Sequence, residues 1–194
     1  MAGEVTATNL LGGAGELYHG LFGATEPLDT VVSGELDDEV WHNFGGTDGG
    51  VTKNMDRNFY DLRADQIMDP AGTRQTSRLT TISTNLAEIT LENLAIAWGE
   101  DPESITSGGT GGTAWRALEQ NGDDSGEEPN YHALIFRGWA PARKRRLVIA
   151  RKVLSVNAVG TAYKKDEQTF IPVQFKCFYV SPTVRPIRIV EAGA

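Results

Sequence analysis

One short apolar helix is predicted in a chain whose other patterns are those of strands and turns. It lies in AEITLENLAIAWGE, residues 87–100. Thr90 is the expected N-cap, Ile89 can pack on Leu94 as a hydrophobic staple, and Gly99 ends the helix in the left-handed conformation. The apolar stripe, at i, i+3, i+4 and i+7, consists of Leu91, Leu94, Ala95 and Trp98. Two helical turns are unstable alone in water, so we expect this stripe to be buried against a sheet.

Most of the remaining chain has the polar–apolar alternation of β-strands, which predicts a mainly β protein. Two long strands are expected at 54–66 and 76–87, joined by the loop IMDPAGTR. GGTDGGVT is predicted to be a turn, and residues 181–194 an extended end. Shorter strands are expected at about 16–22, within DDEVWHNFGG, and at 131–138, 145–156, 158–163 and 169–180.

The length indicates a single domain spanning residues 1–194, large enough to bury a core without disulfides or metals. Its first part, 1–52, is predicted to be an acidic N-terminal arm with short strands. Residues 100–130 hold six glycines and eight acids, which predicts a Gly-rich acidic loop or insertion with one helical turn at 114–120. No basic segment followed by an apolar one begins the chain, and no apolar run approaches the roughly 18 residues of a membrane span. We therefore expect synthesis and folding in a reducing cytosol.

Charge is divided strongly along the chain. Residues 1–52 contain nine acids and no Lys or Arg, whereas residues 131–194 contain twelve bases and three acids. The two ends therefore carry about −9 and +9. This asymmetry predicts either pairing of the two ends within one chain or contacts between the acidic surface of one subunit and the basic surface of another.

No residue pattern points to catalysis, a cofactor or a metal. SGGTGGTAW, residues 107–115, lacks the Lys-Ser/Thr pair of a phosphate-binding loop. His19, His42 and His132 have no metal-ligand spacing and are interpreted as isolated structural groups. Cys177 falls in an alternating strand and is interpreted as a core residue. The basic run 137–152 could suggest nucleic acid binding, but the chain is acidic overall, and an edge facing solvent or a partner is the simpler interpretation. We expect no enzymatic activity.

Several segments, in this order, resemble the major tail protein, or tail tube protein, of long-tailed bacteriophages with non-contractile tails. They are GELYHGLFGATEPLD, VWHNFGGTDGGVT, the alternating strand 54–66, TISTNLAEITLENLAIAWG and RKVLSVNAVGTAYKKDEQTFIPVQFKCFY. The resemblance implies a β-sandwich with one short flanking helix and long loops. It also implies that six copies close their sheets into a ring-shaped β-barrel, and that the rings stack into a tube through which DNA passes.

The same resemblance implies a structural virion protein, made in the host bacterial cytoplasm and located in the phage tail. Its partners would be further copies of itself, the tape-measure protein, and the tail terminator or tip proteins, with no membrane. Carboxylates lining the bore would repel the phosphates of passing DNA. We expect a subset of Asp56, Asp61 and Asp65 to face this lumen.

The charge division predicts which groups meet between subunits. We expect an acidic set on one subunit to contact a basic set on its neighbour, within or between rings. These residues are Glu35, Asp37, Asp38 and Glu39, facing Arg143, Lys144, Arg145 and Arg146. Joining strand edges around a ring would also remove the open edges of the two long strands.

Two other functions fit the same sequence. One is a subunit of a related phage-derived or secretion tube. The other is a monomeric β-sandwich binding module whose Gly-rich acidic loop holds a ligand or cation.

Overall fold

A computed structural model describes residues 13–32, 34–120, 128–157 and 159–193. Strands account for 46% of it and helices for 11%, which confirms the predicted mainly β fold with one α-helix. The helix α1 is Leu91–Trp98, and short 3₁₀ helices are Asp29–Val31, Pro102–Ser104, Gly111–Thr113 and Pro141–Arg143. The strands β1 to β10 are Glu16–Leu21, His42–Asn43, Thr47–Leu62, Gly72–Leu86, Thr106–Gly108, Trp115–Ala117, His132–Ala140, Lys144–Ser155, Ile171–Cys177 and Ile187–Glu191.

The main sheet is antiparallel, and two of its neighbouring strand pairs, β1 with β7 and β9 with β4, join strands that are distant in the chain. Its strands follow the order β2-β1-β7-β8-β9-β4-β3, and β5 and β6 form a separate ribbon. β7 pairs with one edge of β8. The other edge is shared: β10 pairs with residues 146–150, and β9 pairs with residues 153–155. The outermost strands of the sheet are therefore the two-residue β2 and the sixteen-residue β3.

Each face of the sheet packs against its own core. On β7, Leu134 contributes to the core on the face of α1, which we call the helix-side core. Its neighbour Ile135 contributes to a second core on the opposite face. Val32, Leu36 and Trp41 cover this second core. The sheet is thus covered on both faces around β1, β7 and β8.

The predicted ends of α1 are confirmed. Thr90 Oγ1 accepts a hydrogen bond from the main-chain N–H of Asn93 at 3.1 Å, and Gly99 has a φ of 81°. Because these signals act within one helical turn, they could be predicted from neighbouring residues alone.

The predicted buried stripe of α1 is wrong at Trp98, which is 43% exposed. The side chain of Asn93 is buried instead and donates to the main-chain oxygens of Phe44, at 3.0 Å, and Glu88, at 2.9 Å. A buried amide needs such partners. They turn the i, i+3, i+4 set of Asn93, Ile96 and Ala97 towards the sheet, and Trp98 is left at the margin.

Several predicted elements have different bounds. GGTDGGVT is not a turn, because β3 begins at Thr47 and accommodates Gly49 and Gly50 at an irregularity with φ of 71° and 75°. The first long strand ends at Leu62 rather than 66. The helical turn expected at 114–120 is the strand β6, which pairs with β5. No strand is found among the described residues of 158–163, and the end of the chain contains β10. Residues 121–127 of the predicted 100–130 loop lie outside the described residues.

Candidate assembly surface

The distal half of the β3–β4 hairpin extends beyond the core. We call residues 53–79 the arm; all of them are exposed except Ala64 and Gly72, which are half-buried. At about 3.3 Å per residue, the ten strand residues 53–62 span ~33 Å. Below the arm, Ile82 and Leu86 of the same strand β4 are buried in the helix-side core. The hairpin is therefore anchored at its base and exposed on both faces over its outer part.

Large apolar side chains are exposed along the arm. Met68 is fully exposed, and Tyr60 is 63% exposed. The other members of this set are Met55, Phe59, Leu62, Ile67 and Leu79. An isolated two-stranded hairpin is marginally stable in water, and an exposed apolar surface of this kind marks a contact site. The arm thus has the properties of an element that another chain covers.

Alternation places the acids, of which a subset was predicted to face the lumen, on different sides of the arm. Directly paired residues share a face of the ribbon, and Asp56 pairs with Leu79 whereas Asp61 pairs with Thr73. Asp56 and Asp61 are five residues apart on one strand, so they lie on opposite faces. Asp65 lies beyond the end of β3, in the loop 63–71. Therefore at most one of the two strand carboxylates, Asp56 or Asp61, can face the lumen.

The arm as a whole is nearly neutral. It has five bases and four acids, which gives 5 − 4 = +1. The face of Asp61 also carries Lys53, Arg57 and, opposite Arg57, Arg78. The face of Asp56 is the less basic of the two, with Arg74 opposite Tyr60.

The predicted basic set is only partly available for another subunit. It lies at the turn between β7 and β8, where Arg143 has a φ of 58°. Arg146 pairs with Glu191 of the same chain, and the Arg145 guanidinium stacks 4.0 Å from the centre of the Trp139 ring. Arg143 and Lys144 remain as the candidates for an intermolecular contact.

Some acids of residues 1–52 form ion pairs with bases of residues 131–194 in the same chain. Glu26 pairs with Arg151 and, at 3.5 Å, with Arg188, and Glu16 pairs with Arg137 at 2.6 Å. Hydrogen bonding to Arg151 holds the pKa of the Glu26 carboxyl below its ordinary value. The predicted acidic set is separate from these pairs: Glu35, Asp37, Asp38 and Glu39 are exposed in the connection that precedes β2.

All three histidines converge on one cavity, which their scattered positions in the sequence did not indicate. His19 of β1, His42 of β2 and His132 of β7 line a cavity of about 250 Å³. Glu39, Asp101 and Glu103 contribute carboxylates to its lining. His19 and His42 are direct cross-strand partners with ring centres 5.4 Å apart. The interpretation of these residues as isolated is wrong, because antiparallel pairing brings distant segments together.

This cavity predicts a fall in stability with acid. Burial, with smaller effects from His42 and His132, lowers the pKa of His19 from 6.5 to about 3. His19 therefore binds a proton below pH ~6.5 in the unfolded chain but only below about pH 3 in the folded chain. Between pH 7 and 4.5 this one group should lower the free energy of unfolding by roughly 2–3 kcal/mol.

Urea unfolding of the wild type and of His19→Phe across this pH range measures the effect. The variant cannot titrate at residue 19, so its free energy of unfolding should depend less steeply on pH. Parallel curves for the two proteins would show that His19 is not the source.

The described residues also bear on metal binding, on membrane-spanning helices and on the single cysteine. In this part of the chain, no group of three or more His, Cys, Asp or Glu residues is arranged to hold a metal ion. Among the same residues, no helix combines the length and apolar character needed to cross a membrane. Cys177 packs at the margin of the helix-side core, where burial raises the pKa of its thiol to about 11.

No protein-family model matches this chain, and no curated protein is significantly similar to it.

Proposed function

We propose that this protein is a self-assembling structural subunit that forms the tail tube of a bacteriophage. In this proposal, subunits close into hexameric rings, the rings stack, and DNA passes through the bore. The observation that carries the proposal is the arm, which exposes large apolar side chains on a ribbon that no other described part of the chain covers. Covering it with neighbouring copies removes this apolar surface from water.

Open sheet edges support the same conclusion. Among the described residues, the long strand β3 is paired on one side only, with β4, and β2 pairs only with Tyr18 and His19 along the outer edge of β1. Such edges are templates for pairing with another chain. Pairing the β3 edge of one subunit with the β1 side of the next would continue the sheet around a closed ring, which has no free edges.

We infer different roles for the two faces of the arm from their difference in charge. The face with Asp56 is the less basic, so it is the one that would line the bore, where weak attraction to phosphates lets DNA slide. The face with Lys53, Arg57, Arg78 and Asp61 would contact protein. The tape-measure protein would occupy the bore before DNA does, and terminator and tip proteins would close the ends of the tube in the virion.

Negative-stain electron microscopy and light scattering of the purified full chain test the proposal. We expect rings or tubes that become more abundant with protein concentration. A protein that stays monomeric at high concentration, with no rings or tubes under the microscope, would contradict assembly and favour a monomeric binding module.

The contact between acidic and basic sets has its own test. Arg143→Glu with Lys144→Glu should weaken assembly, because each exposed pair contributes only ~0.2–1 kcal/mol but is repeated in every subunit. Adding Asp37→Lys and Asp38→Lys in the same chain should partly restore it. Lys165→Glu, an exposed change outside these sets, is the control. Unchanged assembly of the Arg143/Lys144 variant would exclude this contact.

A further inference from the structure

A groove of about 580 Å³ lies where the arm leaves the core. One wall is formed by the arm residues Met55 and Arg78, and the opposite wall by the C-terminal segment 178–189. Ile189 is 49% exposed, and Met55 is 40% exposed. The groove is therefore a concave, partly apolar site that none of the described residues of its own chain fills.

Basic groups surround this apolar surface. Lys53, Arg78 and Arg185 line the groove, and none of them forms an ion pair within the residues that the structure describes. Carboxylates are absent from its described lining. A segment that fits this groove should present apolar side chains flanked by acids.

The loop at the end of the arm, residues 63–71, has this composition. Ile67 and Met68 are its exposed apolar residues, at 54% and 104% exposure. Asp65 and Asp69 stand on either side of them and are exposed as well. With Arg63 at its start, the loop has one base and two acids, which gives 1 − 2 = −1. It is complementary to the groove in its apolar side chains and in the sign of its charge.

A chain cannot place this loop in its own groove. The arm residues of β3 in the groove are Lys53 and Met55, and the nearer one, Met55, is seven positions from Leu62 at the end of the strand, or ~23 Å. β3 and β4 remain paired from Met55/Thr80 to Leu62/Gly72, which keeps the arm extended. The loop can therefore meet this groove only in another copy.

We propose that the loop 63–71 of one subunit docks in the groove of the next, with Ile67 and Met68 on the apolar surface and Asp65 and Asp69 against Lys53, Arg78 and Arg185. This inference rests on the proposed assembly and specifies one of its contacts. Because the two surfaces differ, the contact is head-to-tail, and repetition of such a contact closes a ring or extends a filament rather than ending in a dimer.

Two variants separate the surfaces. The loop variant carries Asp65→Lys and Asp69→Lys, and the groove variant carries Arg78→Glu and Arg185→Glu. Each should raise the protein concentration needed for assembly at least about tenfold, since like charges then face each other in every repeat. Lys165→Glu is the control for a general effect of charge. Circular dichroism of each variant verifies that it is folded.

Mixing the two variants gives the decisive result. The intact loop of the groove variant fits the intact groove of the loop variant, and the reversed loop and reversed groove are complementary as well. The mixture should therefore form larger assemblies in which the two variants alternate, although neither variant assembles alone at that concentration. Combining all four changes in one chain should restore larger assemblies. Assembly of either variant at the wild-type concentration would overturn the docking, while wild-type assembly in the same experiment would leave the proposed function standing.

A photo-crosslinking residue at position 68 locates the contact directly in the wild-type background. We expect intermolecular crosslinks to peptides that contain residues 178–189. Crosslinks confined to other segments would overturn the proposal, and a wild type that never assembles would instead overturn the tube function on which it rests.

Discussion

Replacing residues 56–79 with Asn-Gly is expected to give a folded protein that no longer assembles. Met55 and Thr80 are direct cross-strand partners, so a two-residue turn can close the shortened hairpin there. The deleted residues include no member of either core. The variant should therefore remain cooperatively folded, while both the apolar arm surface and its long open edge are removed.

Sedimentation velocity and negative-stain microscopy measure this outcome, with circular dichroism as the test of folding. We expect monomers at concentrations where the wild type forms rings or tubes. Because several kcal/mol of apolar contact is removed, the protein concentration needed for assembly should rise more than about a hundredfold. The matched control keeps the arm at full length and replaces only the exposed Thr73 with Ser. Tubes formed by the shortened variant would show that the arm is not the assembly element.

Ile96→Ala is expected to destabilise the protein far more than Trp98→Ala, although Trp98 is the larger residue. Ile96 has no exposed surface and lies in the helix-side core, whereas Trp98 is 43% exposed. Truncating a buried Ile to Ala costs about 2–5 kcal/mol through lost apolar contact and the resulting cavity. The partly exposed Trp98 should cost less than about half of that, because much of its surface stays in water when folded.

Urea unfolding of both variants, followed by circular dichroism, gives the two free energies. The comparison is matched because both substitutions introduce Ala into the same helix two residues apart, so differences in helix propensity are small. A larger loss for Trp98→Ala would show that the helix is rotated relative to the structure described above.

The histidine cavity illustrates how a site can escape prediction from a sequence. The three residues lie 23 and 90 positions apart along the chain, and no spacing rule connects them. Only the pairing of β1 with β2 and with β7 places them around one cavity. The groove beside the arm has the same origin, because it joins β3 and β4 to the distant C-terminal segment.

Local features, in contrast, were determined by the sequence itself. Thr90 and Gly99 mark the ends of α1 because capping involves groups within a turn of the helix. The alternation in 54–66 and 76–87 predicts strands because side chains alternate between the faces of any strand. That these strands form a hairpin follows from the short loop between them.

The tertiary structure alone decided which surfaces are buried. Trp98 fits an apolar stripe by periodicity, yet the buried hydrogen bonds of Asn93 to Phe44 and Glu88 turn a different face of the helix to the sheet. The alternating pattern of β3 and β4 likewise cannot show that the pairing of β4 with β9 ends at Thr81 and leaves residues 53–79 exposed. Burial depends on where remote segments end, and that information is not contained in the local pattern of any one segment.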